Sequence, residues 1–345
     1  MAKNKKNLII GGAGFIGCNL TAYLLEKGED VCVFDNFSRG GSFDNVVWLK
    51  ERYPNLRVVA GDIRTDKHLL KKEMELCDVV FHLAGQVAVT TSFINPQLDF
   101  MVNVVGTFNI LEILRLSERK PILVYASTNK VYGGMEDVVV EERDRRYCYR
   151  DFPWGISETR GLNFHSPYGC SKGAAEQYVR DYARMYDLKT VVFRQSCIYG
   201  TRQFGVEDQG WVAWMVIAAV LGKPITVYGD GKQVRDVLWV DDLCLALEKA
   251  VANIDISKGQ IYNIGGGPDK TLSLLELFDY LGSFLGAPVV YSNADWRPGD
   301  QKVYVSDIKK AQQDLSWQPQ ITPQEGVKRL FEWVNNNKEL FKERT

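Results

Sequence analysis

The sequence has no Cys-x-x-Cys pair. Its seven cysteines (Cys18, Cys32, Cys77, Cys148, Cys170, Cys197, Cys244) lie scattered over 345 residues. That spacing argues against a disulfide framework and a thiolate zinc site, and it fits a reducing, cytoplasmic setting. Histidine is scarce too: His68, His82 and His165 have no ligand-like spacing, so no metal is expected, and His82 inside an apolar stretch reads as a core residue. Net charge is nearly absent, with 42 Lys+Arg against 43 Asp+Glu. No overall field therefore draws in nucleic acid or an anionic membrane, and neither is expected as a partner. No apolar run is read as approaching the roughly 20 residues that cross a bilayer. The basic start, Met1 to Asn7, is not expected to be a signal peptide, because glycines follow Ile10 at once. Disorder is excluded as the overall state by a composition of 46% hydrophobic and 25% charged residues.

What is present is alternation. Asn7–Ile10, Asp30–Asp35, Leu56–Ala60, Asp78–Ala84 and Ile122–Ser127 read as strands, with Val191–Arg194 as a later one, and helix-like stretches separate them. Continuous apolar strands joined by helical crossovers define an α/β chain with a doubly wound parallel sheet. After Arg194 the rhythm changes. Gly210–Gly222 reads as an apolar helix, Val227–Trp239 carries a Gly-Asp-Gly turn, and amphipathic helices follow near Leu272–Leu285 and Glu325–Asn337. Gln260–Ile264 looks like one more buried strand. The expected division is residues 1–196 plus about 237–268 in one domain, and about 197–236 plus 269–345 in a smaller C-terminal α/β substrate lobe.

Directly after the first strand comes Gly11-Gly12-Ala13-Gly14-Phe15-Ile16-Gly17, which holds G-x-G-x-x-G and opens a helix running to about Lys27. Missing side chains allow a tight turn and close approach to a pyrophosphate, and the helix N-terminus aims N–H groups at it. The next strand ends in Asp35, whose carboxylate would accept hydrogen bonds from adenosine ribose hydroxyls and repel a 2′-phosphate. The pattern is a Rossmann-type NAD site, with Arg39 the one feature that speaks for NADP. Asn36, Ser38 and Arg39 beyond Asp35, Asp62-Ile63 after the third strand, Leu83, Ala84 and Gln86 after the fourth, and Asn103 complete the expected cofactor residues.

Ser127-Thr128 ends a strand, and Tyr168-Gly169-Cys170-Ser171-Lys172 begins a helix, so Tyr168 and Lys172 share one helical face. A cation beside a phenol stabilises phenolate, and oxidised nicotinamide adds positive charge, so Tyr168 is expected to act as a base near neutral pH. Thr128, with Ser127 behind it, is expected to orient a substrate hydroxyl. Arg235 and Arg297 are the candidates for a diphosphate, because a guanidinium fork matches phosphate oxygens. Glu141–His165, rich in charge and aromatics, reads equally as a lid, a structural excursion or an oligomer contact.

With these motifs in order, the chain resembles the extended short-chain dehydrogenases/reductases of the nucleotide-sugar-modifying group. Ser127–Gly133, His165–Lys172 and Arg202–Trp211 resemble the CDP-paratose 2-epimerases, also called CDP-tyvelose epimerases. The resemblance implies an isomerase of polysaccharide biosynthesis that keeps NAD tightly bound and inverts C2 of a CDP-hexose through a keto intermediate, as a homodimer or homotetramer. It also implies that Gln195 and Gln209 join Thr128, Arg235 and Arg297 around the substrate. Two departures choose among relatives. Sugar-nucleotide 4,6-dehydratases carry Asp-Glu after the catalytic threonine, where this chain has Asn129-Lys130. Many 4-epimerases and dehydratases have an asparagine shortly after the strand bearing Arg194, where this chain reads Gln195-Ser196-Cys197. A UDP-sugar 4-epimerase or related oxidoreductase shares the remaining residues, and a non-catalytic NAD-binding scaffold shares the fold.

Overall fold

The computed structural model describes residues 4–297 and 300–341. Pro298 and Gly299 of the Arg297–Asp300 motif, and the ends of the expected domains, lie outside these residues. Five strands, β1 (Lys6–Ile10), β2 (Asp30–Asp35), β3 (Arg57–Ala60), β4 (Val79–His82) and β5 (Ile122–Thr128), join Thr190–Gln195 and Ile261–Ile264 in one sheet. Its order is Ile261–Ile264, Thr190–Gln195, β5, β4, β1, β2, β3, and every pairing is parallel.

Side chains of successive strand residues point to opposite faces, so a strand covered on both sides is mostly apolar. Leu8, Ile10, Val80, Leu123, Tyr125 and Val192 pack on one face with Ile110, Leu114 and Val179 from crossover helices. Ile9, Val33, Val79, Phe81, Val124 and Val191 pack on the other with Cys18, Leu20, Leu243 and Leu247. Full burial of each such side chain contributes about 1.5–3 kcal/mol. Strand order reverses between β1 and β4, and there the carboxyl ends open a crevice.

A second sheet collects Thr271–Ser273, Val234–Trp239 and Val303–Tyr304, with Cys197–Tyr199 pairing beside it. Trp211–Leu221, Leu274–Leu285 and Pro323–Asn336 are helices. The middle one starts with a capping box between Ser273 and Glu276. The stretch 141–165 is tied to this second sheet and its neighbours. Val140–Glu142 and Tyr147–Tyr149 form a hairpin, Tyr147 Oη donates to Asp230 (2.5 Å), Tyr149 Oη to the Val303 carbonyl (3.0 Å) and Ile156 N to the Val305 carbonyl (2.8 Å).

One expectation needs correction. Pro96–Leu116 is a continuous 21-residue helical run of mean hydropathy 1.2, long and apolar enough by length and composition to cross a bilayer. It packs on Ser166–Tyr186 and Lys67–Met74 and buries Asp99, Asn103 and Asn109, with 44% of its apolar window buried. Polar residues at those positions break up the run in the sequence.

Candidate active site

The crevice has a volume of about 620 Å³, and its walls include Gly11, Gly14, Phe15, Ile16, Gly17, Asp35, Asn36, Ser38, Arg39, Asp62, Ile63, Leu83, Ala84 and Gln86. The glycines are sterically required. Gly11 has φ +85°, and a Cβ there would lie 2.6 Å from Ala84 N; at Gly17 it would run into the Gly11 carbonyl. The turn is also held by Asp35, which accepts from Ala13 N (3.0 Å) and Phe37 N (2.8 Å) and whose carboxyl burial pushes up. A glycine-lined helix start with a carboxylate at the next strand end fits a dinucleotide.

Asn36 Nδ2 donates to Asp62 (2.9 Å) across the mouth, and Arg64 holds the Asp62 carboxyl well below its usual range. Gln209, assigned to substrate, lines this crevice and accepts a hydrogen bond from Arg39. Asn103, assigned to cofactor, is not on the lining. Its amide is spent on Gln86 N (3.0 Å), the Gln86 carbonyl (3.1 Å) and Ser171 Oγ (3.0 Å).

Behind the crevice floor stands the helix Ser166–Tyr186, entered through Ser166 at φ +67° and Pro167. Tyr168, Lys172 and Glu176 follow one another at i, i+4, i+8, so all three face β5 and Thr190–Gln195 and all are buried. Lys172 Nζ donates to the Ala126 carbonyl (2.5 Å) and lies 4.3 Å from the centre of the Tyr125 ring. A Cβ on Gly85, which lines the crevice, would sit 3.7 Å from that ammonium. Burial pushes Lys172 down to about 7.

Tyr168 is buried as well. Burial pushes its phenol up to about 12; a hydrogen bond from Thr128 lowers it, the Asp99 charge raises it and Arg39 lowers it. Without a cofactor the phenol is therefore no base at neutral pH.

Thr128 is a hydrogen-bond partner of Tyr168, and Ser127 Oγ donates to Glu176 (2.6 Å). Glu176 in turn pairs with Arg194, both buried, and Arg194 Nη1 donates to Tyr132 Oη (2.9 Å). Ser127 thus belongs to a buried ionic network under the site. The signal was in the sequence, since Glu176 repeats the Tyr168–Lys172 spacing.

Gln195 is the register partner of Thr128 on the neighbouring strand; it is buried, and its Nε2 has no partner. Arg235 Nη2 pairs with Asp300 (2.7 Å). Arg297 pairs with Asp208 (3.1 Å) and lies 3.9 Å from the centre of the Tyr228 ring. Both guanidinium groups sit against carboxylates. His82 is buried, donor or acceptor to Thr107 Oγ1 (2.9 Å), and burial pushes it down to about 3. Among the described residues no cluster of His, Cys, Asp or Glu could hold a metal ion.

A parallel Rossmann sheet, a glycine-lined crevice at its switch point and a Tyr-x-x-x-Lys helix behind it define an extended short-chain dehydrogenase/reductase. The family model for GDP-mannose 4,6 dehydratase matches residues 8–330, and the chain belongs to that family. It is 46% identical to CDP-paratose 2-epimerase of Salmonella typhi, over 96% of this chain and 99% of that protein. Its structure is similar to that of UDP-glucose 4-epimerase from Thermotoga maritima, solved with UDP-glucose, at a TM-score of 0.83 and 29% identity, covering 96% and 99% of the two chains. It is equally similar to a dTDP-glucose 4,6-dehydratase from Streptomyces venezuelae solved with NAD bound, at a TM-score of 0.83 and 28% identity, covering 98% and 99%. The chain is therefore an enzyme of the nucleotide-sugar epimerase and dehydratase group, and NAD-bound neighbours support NAD as the cofactor of the crevice.

Proposed function

We propose that this chain is an isomerase that inverts C2 of a CDP-linked hexose, converting CDP-paratose to CDP-tyvelose with tightly held NAD. The observation that carries the reading is the pair Asn129-Lys130. Dehydration needs a carboxylic acid and a carboxylate beside the threonine, and neither side chain here supplies one. The 46% identity to a CDP-paratose 2-epimerase supports the same choice.

Gly11, Gly14 and Gly17 would hold the pyrophosphate, and Asp35 the adenosine ribose. NAD held there would supply a reversible hydride acceptor at the carbon bearing that hydroxyl, with no net oxidation. Tyr168 Oη takes that hydroxyl proton and later returns it to the ketone oxygen. Thr128 Oγ1 orients the hydroxyl, and the Lys172 charge stabilises the phenolate once the site is filled. Arg235 and Arg297 exchange Asp300 and Asp208 for the diphosphate, which stays anchored while the keto sugar presents its other face.

The same reading makes the chain a homo-oligomer. Phe108, Tyr178, Met185 and Tyr186 on the 106–116 and 166–186 helices are exposed, and aromatic rings stack edge to face along them. A cytoplasmic location suits its seven free cysteines. Incubation with CDP-paratose should give CDP-tyvelose with no added NAD. Epimerisation of UDP-glucose at C4 with CDP-paratose untouched would instead select the UDP-sugar 4-epimerase alternative.

A further inference from the structure

The helical run Pro96–Leu116 borders the crevice through Leu98 and Val102. The residue after each, Asp99 and Asn103, turns instead to the helix Ser166–Tyr186. Asp99 is fully buried. One of its carboxylate oxygens accepts from Ser171 Oγ, beside Lys172 in the chain, and the other from Asn103 Nδ2 (3.3 Å). Asn103 Nδ2 also donates to Ser171 Oγ (3.0 Å), and its Oδ1 accepts from Gln86 N (3.0 Å). A Cβ on Gly85, in the crevice wall, would stand 3.0 Å from Asn103 Oδ1 and 3.7 Å from Lys172 Nζ. A carboxylate, a hydroxyl and an amide thus gather beside Lys172 behind that wall, and the proposed proton and hydride transfers give the carboxylate no task.

A carboxylate out of water is costly unless a cation answers it. The charge that acts on Asp99 is that of Lys172. In the other direction, two carboxylates act on Lys172, Glu176 and Asp99. Glu176 is committed elsewhere, since it pairs with Arg194 (2.5 Å) and accepts from Ser127. The donors on Asp99 are a neutral hydroxyl and a neutral amide, which leaves its charge for the ammonium. The remaining groups that face Lys172 are uncharged in the resting chain. Tyr125 on β5 presents its ring, and burial pushes its phenol far up. Burial pushes His82 on β4 down to about 3, and Tyr168, one turn back on the same helix, up to about 12.

We propose that Asp99 is a positioning residue for the Tyr168–Lys172 pair: held by Ser171 and Asn103, its carboxylate is the counter-charge that keeps the Lys172 ammonium charged and in place behind Gly85. The proposal rests on the reading of Lys172 as the cation beside the base and adds Asp99 to it. The carboxylate acts on both members of the pair. It raises Lys172 against the fall that burial causes, and it raises Tyr168. Asp99→Asn, of nearly the same shape and neutral, should therefore draw both titrations toward acid.

The test is a double-mutant cycle on melting temperature, joined to the pH profile of turnover. At pH 6, where Lys172 is charged, Asp99→Asn leaves the ammonium unanswered in the wild type. In Lys172→Met it removes a carboxylate that has itself lost its cation. Asp99→Asn should therefore lower the melting temperature more in the wild type than in Lys172→Met. At pH 9, above the Lys172 value of about 7, the two effects should converge. Equal effects at pH 6, or a difference that persists at pH 9, overturns the proposal. In kcat/KM against pH, both limbs of Asp99→Asn should move to lower pH by about one unit, the lower end of what a nearby charge does, and Asp99→Glu should return them. A profile that is lower with its limbs unmoved also overturns it, since lost packing alone does that. Should Asp99→Asn not fold, Asp99→Ser is the neutral variant in both measurements. The melting cycle needs no substrate. If the wild type turns over neither CDP-paratose nor UDP-glucose while the cycle shows the coupling, the epimerase reading falls and the Asp99–Lys172 pair stands.

Discussion

Replacing Lys172 by methionine isolates the charge that the proposed mechanism needs. In the empty chain the Tyr168 phenol stands at about 12, and bringing it to a working pH near 7 takes roughly 7 kcal/mol at about 1.4 kcal/mol per pH unit. A unit cation about 5 Å away in an effective dielectric of about 20 is worth about 3 kcal/mol. Two cations are thus required: the Lys172 ammonium, and the positive charge that oxidised nicotinamide has when bound. Without Lys172 the phenolate fraction at neutral pH falls roughly 250-fold, the value of one such charge. The assay is kcat/KM against pH. In Lys172→Met the alkaline rise should move up by about two pH units, with activity partly recovered in base. A rise at the wild-type pH, or no recovery, refutes the argument.

The same substitution has an opposite effect on stability. Burial moves Lys172 from 10.5 in an exposed chain to about 7 in the fold, so the folded state resists the ammonium. That penalty is full below about 7 and fades as pH rises toward 10.5. It amounts to roughly 5 kcal/mol at most. Lys172→Met should therefore raise the melting temperature at pH 7 while it removes turnover.

Gly11→Ala should abolish NAD binding, seen as loss of cofactor from the purified protein, because the added Cβ meets Ala84 at φ +85°. Glu176→Ala should destabilise the chain by about 3–5 kcal/mol in denaturant unfolding, since it strands the Arg194 guanidinium without a counter-ion. Ser127→Ala and Thr128→Ala should separate. The first should lower stability by about 1–3 kcal/mol through Glu176, with kcat within a few-fold of wild type. The second should lower kcat by more than tenfold with stability nearly intact; equal losses of kcat would return Ser127 to the reacting hydroxyl.

Much of this protein was written in local pattern. Apolar runs separated by turn glycines located the strands of the main sheet to within a residue or two, because a strand buried on both faces is mostly apolar. Gly11–Gly17 and Asp35 located the crevice, since only glycine tolerates that turn. Asn129-Lys130, read against the dehydratase pattern, pointed away from elimination of water.

Tertiary structure decided what depends on partners distant in sequence. Which way Ser127 faces follows from Glu176 on a helix 49 residues on. The phenol of Tyr168 is set by how deeply the helix is buried, and Lys172 is turned to the Ala126 carbonyl 46 residues away. Spacing along a chain fixes the face a side chain occupies; solvent exclusion and neighbouring charge, which govern its chemistry, come from packing.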